Sequence, residues 1–270
     1  IIPNNHRVDW RNPGYEGEIP RYVDRYINVN SMGIIGDGST DVSSALNTLI
    51  GNLNTSYPTE LKLLFFPTGT YKLDNFIDLP SNFIIKGEGS DKTVFTFANN
   101  GIRISGGSNA TYANIQSYTQ ATKTAVLTSN IGVQSGQLIE IAVPNGWWHT
   151  DPEGDEYVGQ IVKVQNASGT TLVLEDDIYF VWLCDGTNNR AKVRVMNPVQ
   201  RVGIEDLKII SSGLNNTHIS FNGASNCWVS GVESQNPGLH HIGMGNSYRI
   251  EVRGCLFHEA KKVCTGGQGY

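Results

Sequence analysis

The densest run of titratable side chains in the sequence lies late in the chain: Glu233, His240, His241, Arg249, Glu251, Arg253, His258, Glu259, Lys261 and Lys262. This set holds what β-elimination from a uronate polymer requires. A cation must neutralise the carboxylate and so acidify the neighbouring C–H, and a base must remove the proton. Arg249 or Arg253 suits the first role; His240, His241 or Lys261 suits the second, histidine because it titrates near neutrality. Glycoside hydrolysis needs two carboxylates about 5 to 9.5 Å apart instead. Glu233 with Glu259 is the pair this cluster offers, ranked below the His/Arg set, and His258 is expected to contact substrate. The competing expectation is a set of outward-facing ladders and satisfied turns with no chemistry. No metal site is expected at His240-His241, since neighbouring residues on a strand point to opposite faces.

A second candidate is the stretch Pro144 to Tyr157, with Trp147, Trp148 and His149 followed by Asp151, Glu153, Asp155 and Glu156. Paired tryptophans can clamp a sugar chain by stacking on its C–H faces, although one of the two is expected to pack the loop onto the body. The acidic residues disfavour an anionic polymer at that spot. They are oxygen donors of the kind Ca²⁺ takes, without EF-hand spacing, so calcium is the one cofactor considered. Gly36-Asp37-Gly38 lacks the Gly-Lys-Ser/Thr of a phosphate loop and reads as a turn.

The composition sets the frame for these residues. The 270-residue chain is 17% charged, below the usual share of about 25%, and carries 30 glycines and a net charge of -5. That mix favours strands and turns over long helices. No basic block stands out, which argues against nucleic-acid binding, and no apolar run is long enough to span a bilayer. Asn54, Asn109, Asn166 and Asn215 begin N-x-S/T triplets, acceptors only in a secreted, glycosylating setting. Cys184, Cys227, Cys255 and Cys264 are too scattered for a CxxC zinc site; free thiols and three disulfide pairings all stay open. The start at Ile1 fits a cleaved signal peptide or a shortened chain. The ending Gly266-Gly267-Gln268-Gly269-Tyr270 reads as a turn with more chain to come.

The elements that must position these residues are short. Residues 1–33 form an irregular arm broken by Pro3, Pro13 and Pro20, with Trp10 and Tyr15 expected to pin it. Val42, Ala45, Leu46, Leu49 and Ile50 fall on one face of a helix, with Thr40 or Asp41 at its start and Gly51 at its end. Strands are expected at Leu63–Phe66, Tyr71–Leu73, Phe83–Ile85 and Val94–Phe97. Further on, Val202–Ile209, Asn226–Ser234 and Tyr248–Phe257 repeat one strand–turn unit, and aligning Asp206, Gly231 and Gly254 gives the period. A repeat of this size without helices predicts a solenoid of β coils, with the helix as a cap over the first coil. The period is lost over residues 111–197. There Ala125–Leu127, Leu138–Val143, Gln160–Val164 and Thr171–Leu174 predict a small inserted β-subdomain. The expected organisation is therefore an arm over 1–33, cap and first coils over 34–110, the insertion over 111–197, and later coils over 198–270, cut short at the C-terminus.

Three motifs carry a resemblance. Gly36-Asp37-Gly38-Ser39-Thr40-Asp41 with the helix after it, Leu64-Phe65-Phe66-Pro67-Thr68-Gly69-Thr70-Tyr71, and Ile84-Ile85-Lys86-Gly87-Glu88-Gly89 together resemble the opening of the pectate lyase-like superfamily. The resemblance implies an all-β fold, a single-stranded right-handed parallel β-helix. It also implies carbohydrate contact outside the cell or at a surface. The superfamily includes polysaccharide lyases, polygalacturonase-type hydrolases, epimerases and phage tailspikes. The polygalacturonase set of Asn-x-Asp, Asp-Asp and Gly-His-Gly is absent; Asp176-Asp177 falls in the insertion. Glu205, Asp206 and Glu233 are too few for a calcium-dependent pectate lyase. The expected function is a secreted polysaccharide lyase, with a hydrolase second. The alternative is a non-catalytic structural or adhesive fibre subunit. An open last coil would expose strand edges, so self-association there is a further expectation.

Overall fold

The structure is a computed structural model and describes residues 14–143, 158–179 and 191–261. Its contacts divide the chain into two compact units, one comprising Gly107–Asn197, the other built from the segments before and after it.

The flanking segments form a parallel β-helix of three sheets. The first sheet stacks Arg25–Asn28, Lys62–Phe65, Phe83–Lys86, Val202–Glu205, Ala224–Ser230 and Tyr248–Arg253. The second stacks Asp37–Asp41, Gly69–Leu73, Thr93–Phe97, Lys208–Ser211, Glu233–Gln235 and Leu256–His258. The third stacks Ile77–Asp78, Ile102–Ser105, Thr217–Asn222 and His240–Gly245. Alternation explains why these residues form coils: in Thr93–Phe97, Phe95 and Phe97 turn inward while Val94 and Thr96 turn out. The inward set builds one core, and Phe66, Tyr71 and Phe95 meet edge to face at its centre.

The chain leaves the stack after Ile102–Ser105 and returns one rung further on, in register. Phe83 pairs with Val202, Val94 with Lys208 and Ile102 with Ile219. The corners are stacked too. Asn82, Arg201, Asn226 and Arg249 each enter the first sheet at positive φ, between 50° and 67°. Asp206, Gly231 and Gly254 leave it at φ 53°, 64° and 59°, so the three residues aligned in the sequence repeat occupy one left-handed corner. Gly, Asn and Asp tolerate that conformation best.

The helix spans Ser43–Ser56 and buries Leu46, Ile50 and Leu53 in the solenoid core. Asp41 does act at its start, its carboxylate accepting from Ser43 N at 3.0 Å and Ser43 Oγ at 2.6 Å. Gly51 lies within the helix rather than ending it, because the buried face continues to Leu53. Of the arm, Tyr15, Ile19 and Val23 cover Leu61, Ile84 and Trp228. Tyr15 meets Trp228 edge-on at 5.3 Å. Trp10 lies outside the described residues.

The unit over Gly107–Asn197 is antiparallel. Ala113–Thr119, Thr124–Leu127, Thr171–Leu174, Val158–Ser168, Leu138–Val143 and Lys192–Asn197 pair in that order, and Lys192–Asn197 pairs back with Ala113–Thr119 to close a ring. It has a core of its own around Ile139, Ile141, Val162, Val164, Leu172 and Val193.

Candidate functional site on the late coils

The late coils carry the predicted cluster, divided among three sheets. On the second sheet Lys208 pairs in register with Glu233 and Gln235 with His258, and their side chains point outward. Glu233 Oε1 accepts from Lys208 Nζ at 2.7 Å and lies 3.2 Å from His258 Nε2. The Lys208 hydrogen bond, helped by His258, holds the Glu233 carboxyl below the usual range. On its other edge, His258 Nδ1 lies 3.7 Å from Glu259 Oε2, which accepts from Gln235 Nε2 at 2.5 Å. One imidazole therefore separates two carboxylates, and two such contacts keep their oxygens within roughly 9 Å of each other, no farther apart than glycoside hydrolysis allows. Glu259 is the more exposed, at 58% of its side chain against 19% for Glu233.

His240 and His241 open the third-sheet strand His240–Gly245. Strand geometry then parts them. His240 is exposed, its Nδ1 3.2 Å from Thr217 Oγ1. His241 is buried, its Nδ1 2.8 Å from Ser234 Oγ, and stacks on Phe257 at 5.2 Å. One coil earlier, at the equivalent place, His218 is fully buried. Its Nδ1 lies 2.7 Å from Ser234 Oγ and its Nε2 3.1 Å from Ser211 Oγ. Burial pushes both imidazoles down, His218 to about 3. Lys261 Nζ closes this network by donating to Ser211 O at 2.6 Å.

Arg249 and Arg253 lie on the first sheet, away from the strand that bears His240. Arg249 stacks over Tyr248 at 5.4 Å, and Arg253 reaches Glu251 at 3.2 Å. The predicted cation and histidine base thus fall on different sheets, whereas Glu233, His258 and Glu259 are brought together. Trp147, Trp148, His149 and the acidic residues after them lie outside the described residues. Among the described residues no group of three or more His, Cys, Asp and Glu side chains is arranged to hold a metal ion. Cys227 and Cys255 are free thiols; Cys184 and Cys264 lie outside the described residues. No described helix is long and apolar enough to cross a membrane.

Sequence reasoning missed Lys208, Ser211, His218 and Ser234. One signal for His218 was available: its strand aligns with His240–Gly245, which puts it at the place of His241.

Three stacked parallel sheets carrying polar outer ladders define the class of protein, a parallel β-helix of the pectate lyase-like kind. The chain belongs to the rhamnogalacturonase A/epimerase, pectate lyase-like family, whose model matches residues 26–265. The tailspike of Acinetobacter baumannii bacteriophage AP22, solved in complex with A. baumannii capsular saccharide, superposes with a TM-score of 0.56 at 18% identity. That match covers 83% of this chain and 35% of the tailspike. The tailspike of Pseudomonas phage phi297 gives a TM-score of 0.56 at 15% identity, covering 85% of this chain and 46% of its own. A pre-neck appendage protein of Bacillus phage B103 is 34% identical over 71 residues, which is 26% of this chain and 7% of that protein. The chain therefore spans less than half the length of each of these relatives.

Proposed function

We propose that this chain is a polysaccharide-binding β-helix module of an extracellular or virion-surface protein, and that it hydrolyses glycosidic bonds on the outer face of its late coils. The observation that carries the reading is the pair Glu233 and Glu259 on either side of His258. Glu233, kept ionised by Lys208, is the base or nucleophile; Glu259 is the second carboxyl of the pair; His258, between them, orients both. Family membership and the saccharide held by the AP22 tailspike support a glycan as the ligand. Hydrolysis ranks above β-elimination because the arginines and His240 lie on different sheets. The predicted roles of His241 and Lys261 weaken for a related reason: His241 is buried, and Lys261 is bound to Ser211.

A non-catalytic, adhesive role is the second reading. It is favoured by one observation: Lys208, Glu233, His258, Glu259 and Gln235 all satisfy one another, as a structural ladder would.

Reducing-end release from capsular and pectic polysaccharides tests the proposal. Glu233→Gln and Glu259→Gln should each lower turnover by about 10² or more, with no unsaturated uronate absorbing in the products. Unchanged turnover in both variants removes the pair from the chemistry. Binding without any cleavage by the parent chain puts the adhesive reading first.

A further inference from the structure

Far from the Glu233 ladder in sequence, the solenoid holds a groove of about 560 Å³ lined wholly by its own residues. That volume lies within the range of small-ligand sites, about 300–1,000 Å³. One wall is the helix, with Asn54 and with Asn47, whose carboxamide donates to Phe76 O and accepts from Asp78 N. The other wall is formed by the two earliest strands of the third sheet, with Asp78, Arg103 and Ser105. Ile50 and Leu79, both nearly inaccessible, give it an apolar floor.

Arg103 is fixed from two sides. Its Nε and Nη2 donate to the two oxygens of Asp78 at 2.6 and 2.7 Å. Its guanidinium lies 4.1 Å from the centre of the Phe76 ring. A planar donor held this way loses little freedom when a ligand takes the Nη1 edge. Asp78 cancels its charge, so the groove offers directed hydrogen bonds and no net field for an anion. The Asn54 carboxamide, the Ser105 hydroxyl and a neutralised guanidinium above an apolar floor match a ring with hydroxyls at its rim and C–H groups on its face.

We propose that this groove is a second glycan subsite, one that takes one or two neutral pyranose residues. The proposal rests on the glycan-binding reading above but does not use its carboxylates.

The test is saturation-transfer NMR on the 270-residue chain, with lactose, maltose and trigalacturonate as probes. The expected result is groove-dependent transfer to the C–H protons of at least one neutral disaccharide, with no groove-dependent transfer to trigalacturonate. Ser105→Trp, which fills the groove, should abolish it. Arg103→Met should weaken binding roughly tenfold, the effect of losing a charged hydrogen bond. Arg103→Met decides the matter should the tryptophan variant fail to fold. Glu233→Gln should leave the signal intact. Absence of transfer to either neutral sugar, trigalacturonate transfer that the groove variants abolish, or neutral-sugar transfer unchanged in both groove variants overturns the proposal. A groove signal in a chain whose cleavage ignores Glu233 and Glu259 sinks the hydrolase reading alone. Cleavage that depends on those carboxylates, with no groove signal, sinks the second subsite alone.

Discussion

The early and late coils share one backbone plan and fill it in opposite ways. Around Gly69–Leu73 and Thr93–Phe97 the interior is aromatic, with Phe66, Tyr71 and Phe95 packed edge to face and fully buried. Around Glu233–Gln235 and His240–Gly245 the interior near the second and third sheets is polar: Ser211, Asn216, His218, Ser234 and His241 bond to one another. Aromatic packing stabilises by area and shape and is indifferent to pH. A buried histidine–serine network stabilises only while every member is satisfied and every imidazole neutral. The stack thus has an end with an aromatic centre and an end whose apolar core, with Ile219, Phe221 and Val229, also encloses a hydrogen-bonded polar network.

The largest effect that separates the two ends should come from Phe95→Ala, which empties the centre of the aromatic cluster. A loss of about 3–5 kcal/mol is expected from denaturant unfolding. A loss under about 1 kcal/mol would mean that the early coils are not the firmer end.

Acid should act on the other end. Neutral in both states above pH 6.5, His218 takes up a proton below that value when unfolded but resists until about 3 when folded. Its contribution to stability is therefore whole above pH 6.5 and falls as pH drops from there toward 3, by about 1.4 kcal/mol per unit from this one group. Hydrogen-exchange protection factors in the late strands should fall between pH 6.5 and 5, while those of the Thr93–Phe97 strand hold. His218→Gln should flatten that dependence, and a slope identical to the parent's would assign it to other groups. Below that window the depressed carboxyls of Glu233 and Asp41 add to the loss.

The smallest effect should come from Lys208→Met on the outer ladder. With one-fifth of each side chain exposed and His258 still beside Glu233, losing this ion pair should cost about 1 kcal/mol, the upper end of the range for pairs that water reaches. A larger change in melting would show the ladder to be structural first and would strengthen the adhesive reading.

The repeat was legible because corners demand particular residues. Asp206, Gly231 and Gly254 mark one left-handed corner in three successive coils, and their spacing gave the solenoid before any strand was paired. The proline- and glycine-bearing motif from Leu64 to Tyr71 was equally plain, since a strand must stop there and turn. What stayed hidden was facing. A polar interior breaks the rule that alternation shows which side is buried, so His241 and His240 looked alike while one lay inside and one outside. The pairing of Lys86 with Glu205 across 119 positions was hidden for another reason, because nothing local encodes which rung a returning strand joins.

That return in register carries a consequence for how such a chain can be remade. Closing a longer detour costs chain entropy only as the logarithm of its length. The rungs on either side of Gly107–Asn197 hold each other through their own backbone bonds, with Phe83–Lys86 against Val202–Glu205 and Thr93–Phe97 against Lys208–Ser211. The junction is thus a splice point. A self-folding segment whose two ends lie close together should be exchangeable there, with the rungs on either side still paired in register.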